Sequence, residues 1–279
     1  MIMTTLLRRF LGIATLLLAA IAPAAQADVT VSVSGNTALA NISLPGGMGA
    51  DVTLVFDSVQ NLDASTLNIS AQLVNVNDPA LLSRLPSPAA SIPAAFPVLI
   101  TVEPPAAGGL SFQNAYTLEV HTHNLGYAPG TPLRLFKAPL GGSFEDITSD
   151  VLAGSVRARG RGGAFSQFMI VADMRATNDV ANAKFSALDY RLNNAVMPAD
   201  LRSQLNSTLG LARTAYNSAD YVAAIARIDD LLSQVQAAAG TSLANVWRAQ
   251  RDLDNIAGGL LGQGSTLRFT LARLRDFGA

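Results

Sequence analysis

His121 and His123 are the only two histidines in the chain, and one residue separates them. On a β-strand that spacing sends both imidazoles to one face. Glu119 joins them by the same alternation, so a strand here offers two ring nitrogens and a carboxylate. Such a set suits a divalent transition metal. A closed metal site takes four ligands as a rule, and no further ligand stands nearby in sequence. The competing reading of Glu119, His121 and His123 is therefore the polar outer face of a sheet. Arg157, Arg159 and Arg161 repeat the alternation on a second segment. Three guanidinium forks on one face can grip carboxylate or phosphate in two-point fashion, which makes them the candidate polyanion site. A charged strand face that resists aggregation explains the same stripe.

Signals for nucleophilic chemistry are lacking. No Gly-x-Ser-x-Gly or Ser-x-x-Lys stands in a usable setting. Asp229 and Asp230 are adjacent on a predicted helix, so their side chains diverge by about 100° and cannot share a proton. No glycine-rich phosphate loop joins a strand to a helix, and no calcium loop of alternating acids is present. The chain has no cysteine, which removes thiolate chemistry, disulfides and a lipidated N-terminal cysteine. The expectation is a protein without catalytic residues and without a cofactor.

The elements that must carry these residues change character part-way along the chain. From Asp28 to about Arg175 the apolar residues alternate, the mark of half-buried strands. Val29, Val31 and Val33 form one such run, and Ala38, Ala40, Ile42 and Leu44 the next. Val52, Leu54 and Phe56 follow, then Leu67, Ile69, Ala71 and Leu73. Later runs cover 97–102, 116–123, 133–137, 155–161 and 165–171. Pro104-Pro105, Pro129-Gly130, Gly141-Gly142 and Gly162-Gly163 break them, and short strands with such turns predict an antiparallel β-sandwich. Residues 78–95 read as a long loop with one helical turn at Ala80-Leu81-Leu82.

After Arg175 the period becomes helical. Phe185, Leu188, Leu192 and Val196 share a face, as do Leu201, Leu205, Leu209, Ala212 and Tyr216. Ser218 is the expected N-cap of a third helix and Gly240 its terminator. A fourth helix is expected from Thr241 or Ser242 through Leu243, Val246, Leu253 and Ala257, weakened by Gly258-Gly259, with Trp247 half-exposed beside its stripe. Thr266 to Leu271 alternates again and reads as a last strand or a short helix, with the strand preferred. The predicted fold is α+β and segregated. An antiparallel β-sandwich (28–175) precedes a small antiparallel helical bundle (176–262) and a C-terminal strand or tail (263–279).

The first residues read as an address. Arg8 and Arg9 precede an apolar run over 10–22, Pro23 breaks it, and Ala25-Gln26-Ala27 fits a small-x-small cleavage rule. The run is shorter than the about 20 apolar residues that a bilayer demands, and no later stretch is longer. Residues 1–27 are therefore expected to be a cleaved signal peptide, leaving a periplasmic or secreted protein with no membrane span. Net charge is −1 and only 14 % of residues are charged, so no whole-protein field draws the chain to nucleic acid.

Two segments are similar to known modules. Leu201-Arg202-Ser203-Gln204-Leu205, Ala212-Arg213, Tyr221-Val222-Ala223-Ala224-Ile225 and Leu231-Leu232-Ser233-Gln234-Val235-Gln236 resemble the FIMAH domain, a small helical module of exported bacterial proteins. The likeness covers roughly 196–260. It departs from the family pattern at Asn217-Ser218-Ala219-Asp220, where a Gly-Asp-like turn is usual. Leu133-Arg134-Leu135-Phe136, Phe144-Glu145-Asp146-Ile147-Thr148 and Phe165-Ser166-Gln167-Phe168 look like the closing strands of bacterial immunoglobulin-like modules. The first likeness implies an accessory or interaction role and the second a packing pattern; neither transfers a catalytic residue. The expected function is a non-catalytic binding or accessory protein of the bacterial envelope, with an envelope or extracellular protein or polysaccharide as partner. A metal-dependent hydrolase built on Glu119, His121 and His123, and a structural spacer, are the two alternatives.

Overall fold

The computed structural model describes residues 27–278, so the expected signal peptide lies, except for Ala27, outside the described residues. The chain opens with β1 (Asp28–Ser34), β2 (Thr37–Leu44), β3 (Met48–Val55) and β4 (Ser58–Gln60). A short helix α1 (Ala64–Leu67) precedes β5 (Ile69–Leu73), and α2 (Pro79–Leu82) precedes β6 (Ala90–Ser91) and β7 (Val98–Val102). Then come β8 (Ser111–Gln113), β9 (Tyr116–Gly126), β10 (Leu133–Ala138) and β11 (Glu145–Asp146). The strand-rich half closes with β12 (Thr148–Leu152), β13 (Ser155–Gly162) and β14 (Gln167–Asp173). Helices α3 (Thr177–Asn194), α4 (Ala199–Asn217) and α5 (Tyr221–Ala238) follow, then β15 (Val246–Arg248) and α6 (Ile256–Phe277).

The fold is α+β, with the sheets first and the helices after them. One sheet runs β1-β2-β3-β9-β13-β12 and a second β11-β10-β14-β7-β5, with β6 also on β14. The alternation seen in sequence is the cause: Ala38, Ala40, Ile42, Val52, Leu54, Leu118 and Val120 from the first sheet share one core with Val98, Ile100, Leu135 and Phe168 from the second. The second sheet is apolar on both faces, because Leu99, Phe136, Met169 and Val171 pack under Leu81, Leu85 and Ile92. The loop predicted over 78–95 is thus a cover for that sheet, and its helical turn is α2.

The helices hold a core of their own, including Phe185, Leu188, Leu209, Ile228, Leu260 and Leu271. Asp220, not Ser218, caps α5 by accepting from the Ala223 amide. Gly240 takes a φ of +77° just beyond that helix, the left-handed conformation a helix terminator requires. No described helix is long and apolar enough to cross a membrane.

Two expectations for the C-terminal part fail. The region from Thr241 is not a fourth helix: its middle is β15, which pairs with β8 and places Trp247 opposite Phe112. Trp247 is only 4 % exposed, stacked on Phe112 at 5.2 Å and edge-on to Phe165 at 5.1 Å. Burial of an indole among aromatics outweighs the helical period of so short a segment. The expected last strand over 266–271 is the second half of α6. Gly258, Gly259, Gly262 and Gly264 disguise this helix, since glycine weakens helices, yet Leu260, Leu267, Leu271 and Leu274 keep the helical spacing and are buried.

Candidate functional site

The register brings the two sequence-derived candidates onto one face. Along β9 and β13, His121 lies opposite Arg157, Glu119 opposite Arg159 and Thr117 opposite Arg161. On the other side β3 sets Asp51 opposite His121 and Thr53 opposite Glu119. Glu119 accepts from Arg159 Nε at 3.2 Å and Nη2 at 2.7 Å, and Arg157 stands 3.8 Å away. The His121 and His123 rings do meet, with centroids 4.6 Å apart. His121 Nε2, however, is 2.5 Å from Ser155 Oγ, and its Nδ1 is 3.8 Å from Asp51. Burial, then the neighbouring Arg157 and His123, push the His121 imidazole below its ordinary pKa.

Glu119 is therefore the counter-ion of two arginines and not a partner of the histidines. Among the described residues no group of three or more acids and histidines is placed to hold a metal. The polyanion stripe is altered by the same pairing, because Glu119 offsets Arg157 and Arg159. Arg161 is different. Thr117 faces it across the strands, and it joins no ion pair among the described residues.

Beyond Arg161 the strand runs into α6. A methyl group at Gly163 would sit 2.5 Å from the Gly259 nitrogen, and one at Gly262 would sit 2.9 Å from the Arg161 carbonyl oxygen. Helix and strand end approach backbone to backbone, which only glycine permits. Asn255 fixes the helix start. Its side chain accepts from the Gly258 amide and donates to the carbonyls of Asn114 at 2.6 Å and Gly163 at 3.1 Å.

Beside this junction lies a cleft of about 490 Å³ between sandwich and helices. Arg161 of β13, Arg191 of α3 and Gln263 of α6 line it, Phe165 and Trp247 supply aromatic wall, and Arg161 also lines the groove on the sheet face that Glu119 and Arg159 share. Arg161 Nε, Arg191 Nε and Gln263 Oε1 are buried atoms without a hydrogen-bond partner. Arg191 Nη2 donates to Asp254 at 3.0 Å; Lys137 and Glu145 pair across the far wall at 3.6 Å. A smaller chamber of about 160 Å³ adjoins, sharing Glu145, Asp146, Gln263 and Thr266 and closed by Lys184.

Of the candidate site residues read from sequence, only Arg161 lines this cleft. Lys184 carried a readable signal, since it falls between Ala181 and Leu188 on the apolar stripe of α3, where a charge demands a buried partner. Arg191, Gln263 and Asn255 had none, because their roles depend on where α6 docks.

Residues 12–275 match the model of a family of unknown function, DUF6689. The chain belongs to that family. No curated protein matches it. The DUF6689 match runs through sandwich and helices alike.

Proposed function

We propose that this DUF6689 protein is a non-catalytic binding protein of the bacterial envelope, and that the cleft between sandwich and helices holds an acidic group of its partner. The observation that carries the reading is Arg161. It is a cation without a carboxylate partner among the described residues, in a cleft where two more buried polar atoms lack partners. Unpaired buried polar groups are rare in folded proteins because each one costs free energy. A carboxylate or phosphate of a surface polymer or protein would satisfy the Arg161 fork in two-point fashion, with the Gln263 oxygen free to accept from a hydroxyl or amide.

Address and class rest on the leader pattern of residues 8–27, on the absence of catalytic motifs and on the likeness of 196–260 to an accessory helical module. Envelope binding is tested by co-sedimentation of the purified protein with isolated envelope fractions at low and high salt. Salt-sensitive retention supports it, and protein that stays in the supernatant opposes it. The hydrolase alternative loses its ligand set, because Glu119 is engaged by Arg159 and Arg157.

A further inference from the structure

A second cluster of charge shares Asp146 with the cleft. Arg134 on β10, Arg175 after β14, and Thr270 and Arg273 on α6 surround a cavity of about 40 Å³, with Asp146, Asp173 and Thr177 in its wall. Both carboxylates are already committed. Asp173 takes Arg175 in a two-point pair at 2.8 and 2.7 Å. Asp146 takes Lys184 at 2.6 Å through one oxygen and Thr148 through the other.

Arg134 and Arg273 are left without an acid; their guanidinium groups lie over the Phe269 and Phe277 rings, at 5.4 and 5.6 Å from the centroids. Arg134 is 6 % exposed, and its Nη1 donates only to the Thr131 and Leu133 carbonyls, at 2.7 and 2.6 Å. Arg273 donates to the carbonyls of Thr131 and Gly130, and its Nε is buried without a partner. Among the described residues neither has a carboxylate within salt-bridge distance. Two like charges thus share one small polar space of low dielectric, where repulsion is strong. Burial and the neighbouring Arg273 pull the Arg134 pKa down to about 10. Burial above all, with Arg134 and Arg175 adding to it, holds the Lys184 ammonium below its ordinary value despite Asp146.

We infer that this cavity is a binding site for a small inorganic anion of halide size, held between Arg134 and Arg273 and locking α6 onto the second sheet. At about 40 Å³ it is far smaller than the cleft of about 490 Å³ and suits a small ion or a few waters. The cavity and the two guanidinium groups select charge and size together.

The test is thermal unfolding of the purified full chain in sodium chloride and in sodium gluconate at equal ionic strength. A ligand that binds only the folded state raises the melting temperature with its concentration. The site predicts a rise in chloride that saturates and is absent in gluconate, whose anion is too large. R273Q removes one of the two cations and should abolish the chloride effect, while the exposed control R157Q keeps it. Equal melting temperatures in the two salts, or an undiminished chloride effect in R273Q, overturn the inference. If R273Q does not fold, crystals of the natural chain grown in bromide decide. An anomalous peak between Arg134 and Arg273 supports the site, and its absence there rejects it.

Discussion

Lys184 Nζ lies 2.6 Å from Asp146 Oδ2, and both side chains are buried where α3 crosses the edge strand of the second sheet. Thr266 and Thr270 of α6 complete the ammonium's coordination, their hydroxyl oxygens accepting at 2.7 and 2.8 Å. One ammonium thus ties both helices to the sandwich. Burial pushes the Asp146 carboxyl up, but Lys184 beside it, with hydrogen bonds from Lys184 and Thr148, holds it below its ordinary 3.8.

Lys184→Met leaves Asp146 as a buried charge without its ammonium, and removing one member of a buried pair costs about 3–5 kcal/mol. The double variant K184M/D146N should recover much of that loss, since the uncompensated charge is gone. Denaturant melts of the two variants check both outcomes. The pH dependence has a fixed sign: a carboxyl lowered on folding stabilises above 3.8, and that stability fades as pH falls through the folded value. Acid unfolding of the natural chain should therefore be steep below pH 3.8, and of K184M shallower.

The docking of α6 predicts opposite results for two glycines. Gly163→Ala forces a methyl group against the Gly259 backbone at 2.5 Å; neither chain can yield, so the expected loss is about 1–3 kcal/mol. Gly210→Ala, within α4, meets nothing within 4 Å and should gain about 0.5–1 kcal/mol from reduced backbone entropy. Melting temperatures of the two variants, one lowered and one raised, separate tight packing from general intolerance.

The outer sheet face predicts a histidine that resists protonation. In a proton-detected NMR titration His121 should have its midpoint below 6.5, and Arg157→Gln should move it upward. Because the folded value is lower than the unfolded one, acidification through 6.5 takes stability away at this residue. Glu119→Gln should cost no more than about 1 kcal/mol, as partly exposed ion pairs do, and added zinc should leave the melting temperature unchanged in both proteins.

How much of this was legible depended on whether a residue's role is local. The sandwich strands could be read because Ala38-Ala40-Ile42 or Leu118-Val120 alternate within one element. Most of α3 to α5 followed from spacing within each helix. Elements that answer to distant partners could not be read. Val246-Trp247-Arg248 is a strand only because Ser111–Gln113 waits about 135 residues earlier. The glycines of α6 look like breaks until β13 lies against them. The arginine stripe was found, but the acid that divides it was assigned to the histidines, since register across strands is not written in either strand alone.

The central claim is that Arg161 holds an acidic group of an envelope partner in the cleft. Its most direct test is quantitative co-sedimentation of the natural chain, R161Q and R157Q with envelope fractions, after melting curves have shown all three to be folded. At low salt the natural chain and R157Q should pellet while R161Q stays in solution, and high salt should release much of what pelleted, since salt weakens attraction between charges that are not fully buried. Natural chain left in the supernatant at low salt, or R161Q pelleting as fully as the natural chain, would contradict it.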